Sequence, residues 1–175
     1  MINAESEFLL LSASRLLRNA DRIEDCVRLL TPEQIWLRHS ENENAIGNLL
    51  LHLRGNVRQW ILTGVGGEVD QRDRDSEFTT RSGADAAALL AGLRATVTDA
   101  AKVIGELNPA RLQEKIFPQG YDVTVMGAIY HVVEHFSGHT FQVILLTKLF
   151  TGKDLAFYPH LTGQTRGQTP DPSLP

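Results

Sequence analysis

The chain has 175 residues, 17 Lys and Arg against 21 Asp and Glu, a formal net charge of -4 with histidines neutral, and 42% apolar residues. This length suits one domain whose hydrophobic core carries the fold without disulfides or a structural metal. The acidic balance excludes a general nucleic-acid or anionic-membrane surface, and no apolar run reaches the roughly 18 residues needed to span a bilayer.

The opening stretch MINAESEFLLLSASRLL carries acids where a signal peptide would carry Lys or Arg, so the sequence reads as cytoplasmic. From Leu9, the series Ala13, Leu16, Ala20, Ile23, Val27 and Leu30 alternates steps of four and three and draws an apolar seam along a first long helix. Cys26, the single cysteine, reads as a small core residue on it. Thr31 followed by Pro32 is the N-cap and first position of a short new turn. After the polar link RHSENEN, Ile46, Leu49, Leu53, Val57 and Trp60 mark a second helix.

Residues 66–83 lose all periodicity and read as a loop, unusually long for a compact bundle. Arg72 and Arg74 lie in its alternating acids and bases, a pattern read as a solvated surface rather than as a clamp for an anionic substrate. A third helix is expected from a capping box at Ser82 and Asp85, with its seam from Ala86 to Leu107. Pro118, Gln119 and Gly120, flanked by β-branched and aromatic residues, suggest a turn or a small two-strand excursion. A fourth helix should begin near Asp122 or Thr124, carry Ile129, Val132, Val133, Phe136 and Val143, and stop at Gly152. The expected architecture is an all-α four-helix bundle over residues 1–156, with a flexible Pro- and Gly-rich tail over 157–175.

The fourth helix carries His131, His135 and His139, half of the chain's six histidines. Four residues advance about 400° around a helix, so the row lies nearly on one face and adjacent members can share an ion. The outer two Cα atoms are about 12 Å apart, so the three rarely reach one ion together, and a third ligand should come from another helix. His52 is the candidate, in a polar stripe with Asn48 and Asn56 beside an apolar face, where buried polar groups need partners.

The stretches IGNLLLHLRGNVRQWI and AIYHVVEHFSGHTFQVI resemble the DinB/YfiT-like superfamily of small metal-binding four-helix bundles, in particular a branch of unassigned function. Its pattern is one histidine in helix two, then H-x-x-x-H in the last bundle helix, followed three residues later by Gln. That pattern falls on His52, on His135 and His139, and on Gln142. It leaves His131 one turn upstream as a group that orients ligands. Many members have Arg and Gly between the last histidine and the Gln, where this chain has Thr140 and Phe141. Some relatives resemble thiol transferases or isomerases that use low-molecular-weight thiols such as mycothiol or bacillithiol.

A three-histidine set without a carboxylate ligand leaves a coordination position open, as catalytic zinc sites do. The leading expectation is a metal-dependent thiol transferase or hydrolase acting on a small electrophilic molecule. Asn48, His131, Glu134 and Gln142 would orient ligands or substrate, with Glu134 also read as solvated helix surface. The alternative is a non-catalytic metal-binding or sensor module, a homodimer whose fourth position is filled by a tail residue such as His160 or by the partner chain. Zinc or nickel are the expected ions, and imidazole also suits iron and copper.

Overall fold

A computed structural model describes residues 3–158. Four long helices form the bundle: α1 (Ala4–Val27), α3 (Ile46–Val57, continuing as a π-helix over Arg58–Val65), α5 (Ala86–Gly105) and α6 (Val125–Thr151). Two short helices, α2 (Pro32–Ile35) and α4 (Arg74–Thr79), lie in the connections. α1 packs on α5 and α6, and α3 closes the opposite side against the same two helices. The fold is predominantly all-α, as the sequence periodicity implied.

The core is one contiguous cluster built from the expected seams: Leu16, Ile23, Leu53, Val57, Val97, Ile104 and Phe136 are all essentially inaccessible. Cys26 belongs to this core, and burial pushes its thiol up to about 11, so it is an inert packing residue at neutral pH. Helix boundaries follow local chemistry. Thr31 caps α2 reciprocally with Gln34, and Thr124 caps α6 by accepting from the Gly127 amide at 3.0 Å. Gly152, at φ 66°, ends α6 in the left-handed region. α5 starts one turn later than the Ser82 capping box implied. Gly83 sits at φ 103°, which no helix accommodates, and the Asp85 side chain itself caps the helix by accepting from the Ala88 amide at 2.7 Å.

The excursion before α6 is a two-stranded antiparallel ribbon, β1 (Lys115–Ile116) and β2 (Val123–Thr124), with Lys115 opposite Thr124 and Ile116 opposite Val123. The π-helical half of α3 was not expected; there Gly66 N–H reaches back five residues to the Ile61 carbonyl at 2.8 Å. After α6 the chain folds back on α1, where Arg22 stacks on the Phe157 and Tyr158 rings and donates to the Tyr158 hydroxyl at 2.9 Å. The rest of the expected tail, His160 included, lies outside the described residues. Among the described residues no helix is long and apolar enough to cross a membrane.

Candidate metal centre

α3 and α6 face each other in the bundle, and this brings together residues more than 80 positions apart. The Nε2 atom of His52 lies 3.1 Å from that of His135, and the Nε2 of His139 lies 3.2 Å from the same atom. All three ligand atoms fall within 4.8 Å of one another. His131 stays outside this group. Its ring lies on Trp60, with centroids 4.2 Å apart, and is 5.6 Å from the His135 ring. The row of histidines on α6 therefore splits into a converging pair and one member on a neighbouring wall.

The tautomers follow from what the outer nitrogens touch. Nδ1 of His52 is 2.9 Å from Oε2 of Glu77, which is itself buried. Burial alone would raise the Glu77 carboxyl, but hydrogen bonds from Arg72 and His52 outweigh it and hold the group below the usual carboxylate range. An ionised carboxylate only accepts, so Nδ1 of His52 carries a proton, and in the neutral imidazole this leaves Nε2 as a lone pair turned toward the other rings. Arg72 completes the clamp, donating from Nε to Oε1 at 2.7 Å and from Nη2 to Oε2 at 2.8 Å. The 3.3 Å approach of Arg72 Nη2 to His52 Nδ1 is then two donors meeting at one oxygen. On the other side, Nδ1 of His139 donates to Oε1 of Gln142 at 2.7 Å, which leaves its Nε2 unprotonated as well.

Two lone pairs thus point at Nε2 of His135, which has at most one proton to offer them. If it offers that proton, its Nδ1 is left as a buried acceptor, and this atom has no hydrogen-bond partner among the described residues. An extra proton is opposed: burial first, then the neighbouring His139, His52, His131 and Arg72 charges, push His135 down to about 3. Burial also lowers His139, against the opposing Gln142 bond. A divalent ion supplies what protons cannot. Two nitrogens bound tetrahedrally at about 2.0 to 2.1 Å lie about 3.3 Å apart, close to the spacings found here. The donor set therefore fits a metal ion of the imidazole-binding kind.

The remaining candidates divide. Asn48 is buried and holds the support of the three rings: its Nδ2 donates to the Glu77 and Thr80 carbonyls, each at 2.9 Å, and its Oδ1 accepts from the Ala45 amide at 3.2 Å. Gln142 orients His139. Glu134 is exposed, and no hydrogen bond ties it to the cluster. Arg72 corrects the expectation of a solvated surface: its side chain is 3% exposed because its guanidinium is committed to Glu77. Glu77 is not among the residues that the sequence singles out, since 66–83 shows only a long charged loop without periodicity. Asp73 caps α4 by accepting from the Ser76 amide, and that one turn directs Glu77 inward. One signal for it was present. Gly55 interrupts α3 three residues after His52, and a Cβ there would overlap Glu77 Oε1.

A cleft of about 390 Å³ opens beside His52 and His135, walled by Trp60, Tyr121, His131 and Arg74. Gln119 overhangs it with φ 55°, a left-handed conformation that a non-glycine side chain adopts only where its surroundings hold it.

A family model described as "Protein of unknown function (DUF1572)" matches residues 3–159. The fold is similar to that of a conserved protein from Enterococcus faecalis, with a TM-score of 0.67 and 16% identity, over 82% of this chain and 96% of that one. It is also similar to a DinB-like protein from Bacillus cereus, with a TM-score of 0.60 and 15% identity, over 75% of this chain and 85% of that one. At such identities the likeness shows a shared fold. No protein of curated function matches the sequence.

Proposed function

The chain belongs to the DUF1572 family of proteins of unknown function and has a DinB-like fold, and we propose that it is a divalent-metal protein in which His52, His135 and His139 are the ligands. The observation that carries this reading is the convergence of three Nε2 atoms, two of them on rings whose Nδ1 faces an acceptor oxygen of Glu77 or Gln142. We assign the site to catalysis, as a thiol transferase or hydrolase acting on a small electrophile, with zinc or nickel as the ion and iron or copper as further fits to imidazole. When bound, such an ion supplies Lewis-acid chemistry toward thiols, water and carbonyls.

The chain's own residues supply the rest. Glu77 and Gln142 hold two imidazoles in the ligating tautomer, the role usual for groups behind metal-bound histidines. Arg72 neutralises Glu77, so the site presents no uncompensated carboxylate to an incoming anion. The ring of His131 and the indole of Trp60 shield one wall of the cleft from water. The proposal sets the protein in the cytoplasm, in keeping with its free, buried Cys26. Metal analysis of the untagged chain, followed by a panel of low-molecular-weight thiols with an electrophile, tests the reading. Thiol-dependent turnover that disappears on chelation supports it, and a metal-loaded chain inactive across the panel removes the catalytic part.

One observation favours a second reading, a dimeric binding module. Phe141, Leu145 and Leu149 recur every fourth residue on α6 and are 58%, 57% and 69% exposed, an apolar stripe of the kind that pairs between copies. Sedimentation of the full chain separates the two states: a dimer that Leu145→Glu dissociates supports pairing along α6, and a monomer at all concentrations removes it.

A further inference from the structure

The cleft next to the histidines has a composition of its own, and we infer that it is a subsite for a small flat carboxylate, an aromatic or conjugated acid carrying an O–H or N–H donor. The inference deepens the proposed metal-site reading and rests on it for what the ligand is held against. Three features of the lining carry it.

The first is shape. Trp60 stacks toward Tyr121, with centroids 6.2 Å apart and planes 28° apart, and toward His131 at 4.2 Å and 38°, so three flat side chains build one wall. A planar ligand buries more surface against such a wall than an aliphatic chain does, and ring stacking adds to that area term. A volume of about 390 Å³ sits at the small end of ligand pockets and admits a molecule of one ring with its substituents.

Charge is the second. Among the described residues the lining includes two guanidinium groups and no carboxylate. Arg72 is spent on Glu77. Arg74 is exposed at the mouth, lies over the Phe78 ring at 4.9 Å, and has no carboxylate partner among the described residues. A guanidinium lying over an aromatic ring still has N–H groups to offer an anion, and a carboxylate can take two of them in two-point geometry.

The third is a polar atom without a partner. Asn56 is 4% exposed, lines the cleft, and its Oδ1 is buried with no hydrogen bond among the described residues. Leaving such an acceptor unpaired is costly, and a ligand O–H or N–H that reaches it removes the cost. A flat ligand with a carboxylate for Arg74 and a donor for Asn56, as in a hydroxylated benzoate, answers both.

Calorimetric titration of the full chain, metal-loaded and after chelation, with 4-hydroxybenzoate, benzoate, 4-hydroxybenzamide and acetate tests the assignment. The expected result is 4-hydroxybenzoate binding at least tenfold more tightly than acetate and 4-hydroxybenzamide, with Arg74→Ala cutting its affinity about tenfold at unchanged metal content. Asn56→Ala should erase the advantage of 4-hydroxybenzoate over benzoate. Arg74 is on the surface of a short helix, so its variant folds, and a thermal melt confirms it. Acetate binding as tightly as 4-hydroxybenzoate, or a preference indifferent to Arg74→Ala, overturns the assignment. A chain that takes up no metal yet keeps the preference supports the subsite while removing the metal reading; a metal-loaded chain without the preference removes the subsite alone.

Discussion

His52 and Glu77, 25 positions apart, meet through a 2.9 Å hydrogen bond that decides which nitrogen of the imidazole faces the other two histidines. Everything around it serves that bond. Arg72 locks the carboxylate with two donors, Asn48 pins the backbone of the segment that carries it, and Gly55 leaves the room it occupies.

Glu77→Gln keeps the volume but removes the obligate acceptor. The glutamine amide presents either an oxygen or an N–H to His52, and Arg72 loses its anionic partner. Metal affinity should fall about 10- to 100-fold, the range typical for such supporting groups. Competition against a chelating dye reads this directly, and an affinity equal to the parent chain would show that Glu77 orients nothing.

Gly55→Ala tests the same support from the opposite helix. The added methyl overlaps Glu77 Oε1 and presses on Arg72 Nε, so the clamp must move outward. A cost of about 1–3 kcal/mol in stability is expected for overpacking of this kind, together with weaker metal binding. Gly105→Ala is the control, since nothing lies within 4 Å of a Cβ there. Equal effects of the two substitutions in urea melts would mean that only helix propensity is being measured.

The metal-free chain should be acid-sensitive. His135 has its folded pKa depressed from 6.5 to about 3, chiefly by burial. The unfolded chain therefore binds the extra proton first, so the stability due to neutral His135 is fully present above about 6.5 and is lost as pH falls toward 3. His131 and His139 are shifted in the same direction. Urea midpoints of the chelated protein should drop between pH 7 and pH 4, and His135→Gln should flatten that slope. A slope identical in the variant would count against the burial argument.

Much of the architecture was legible because helices write a period into their apolar residues. The seams of α1, α3 and α6, the Thr31 and Thr124 caps and the Gly152 stop all come from interactions within a few residues of each other. The converging histidines were legible for a related reason: a four-residue spacing on one helix fixes two ligands, and the family resemblance chose which two. Glu77 and Arg72 were not, because their role depends on a single helical turn inside a charged loop and on contacts across more than a dozen residues. Charge alternation there looks the same whether the side chains point at water or at a buried imidazole. The π-helical stretch is equally silent, since the apolar spacing up to Trp60 reads as an ordinary α-helix.

Whether three imidazoles from two helices hold one ion is decided by metal titration of the untagged full chain alongside His52→Ala and His135→Ala. One divalent ion per chain is expected, with X-ray absorption showing three imidazole nitrogens in the parent and at least a hundredfold weaker binding in both variants. A parent chain that takes up no zinc or nickel, or a His52→Ala chain that binds as tightly as the parent, would contradict it.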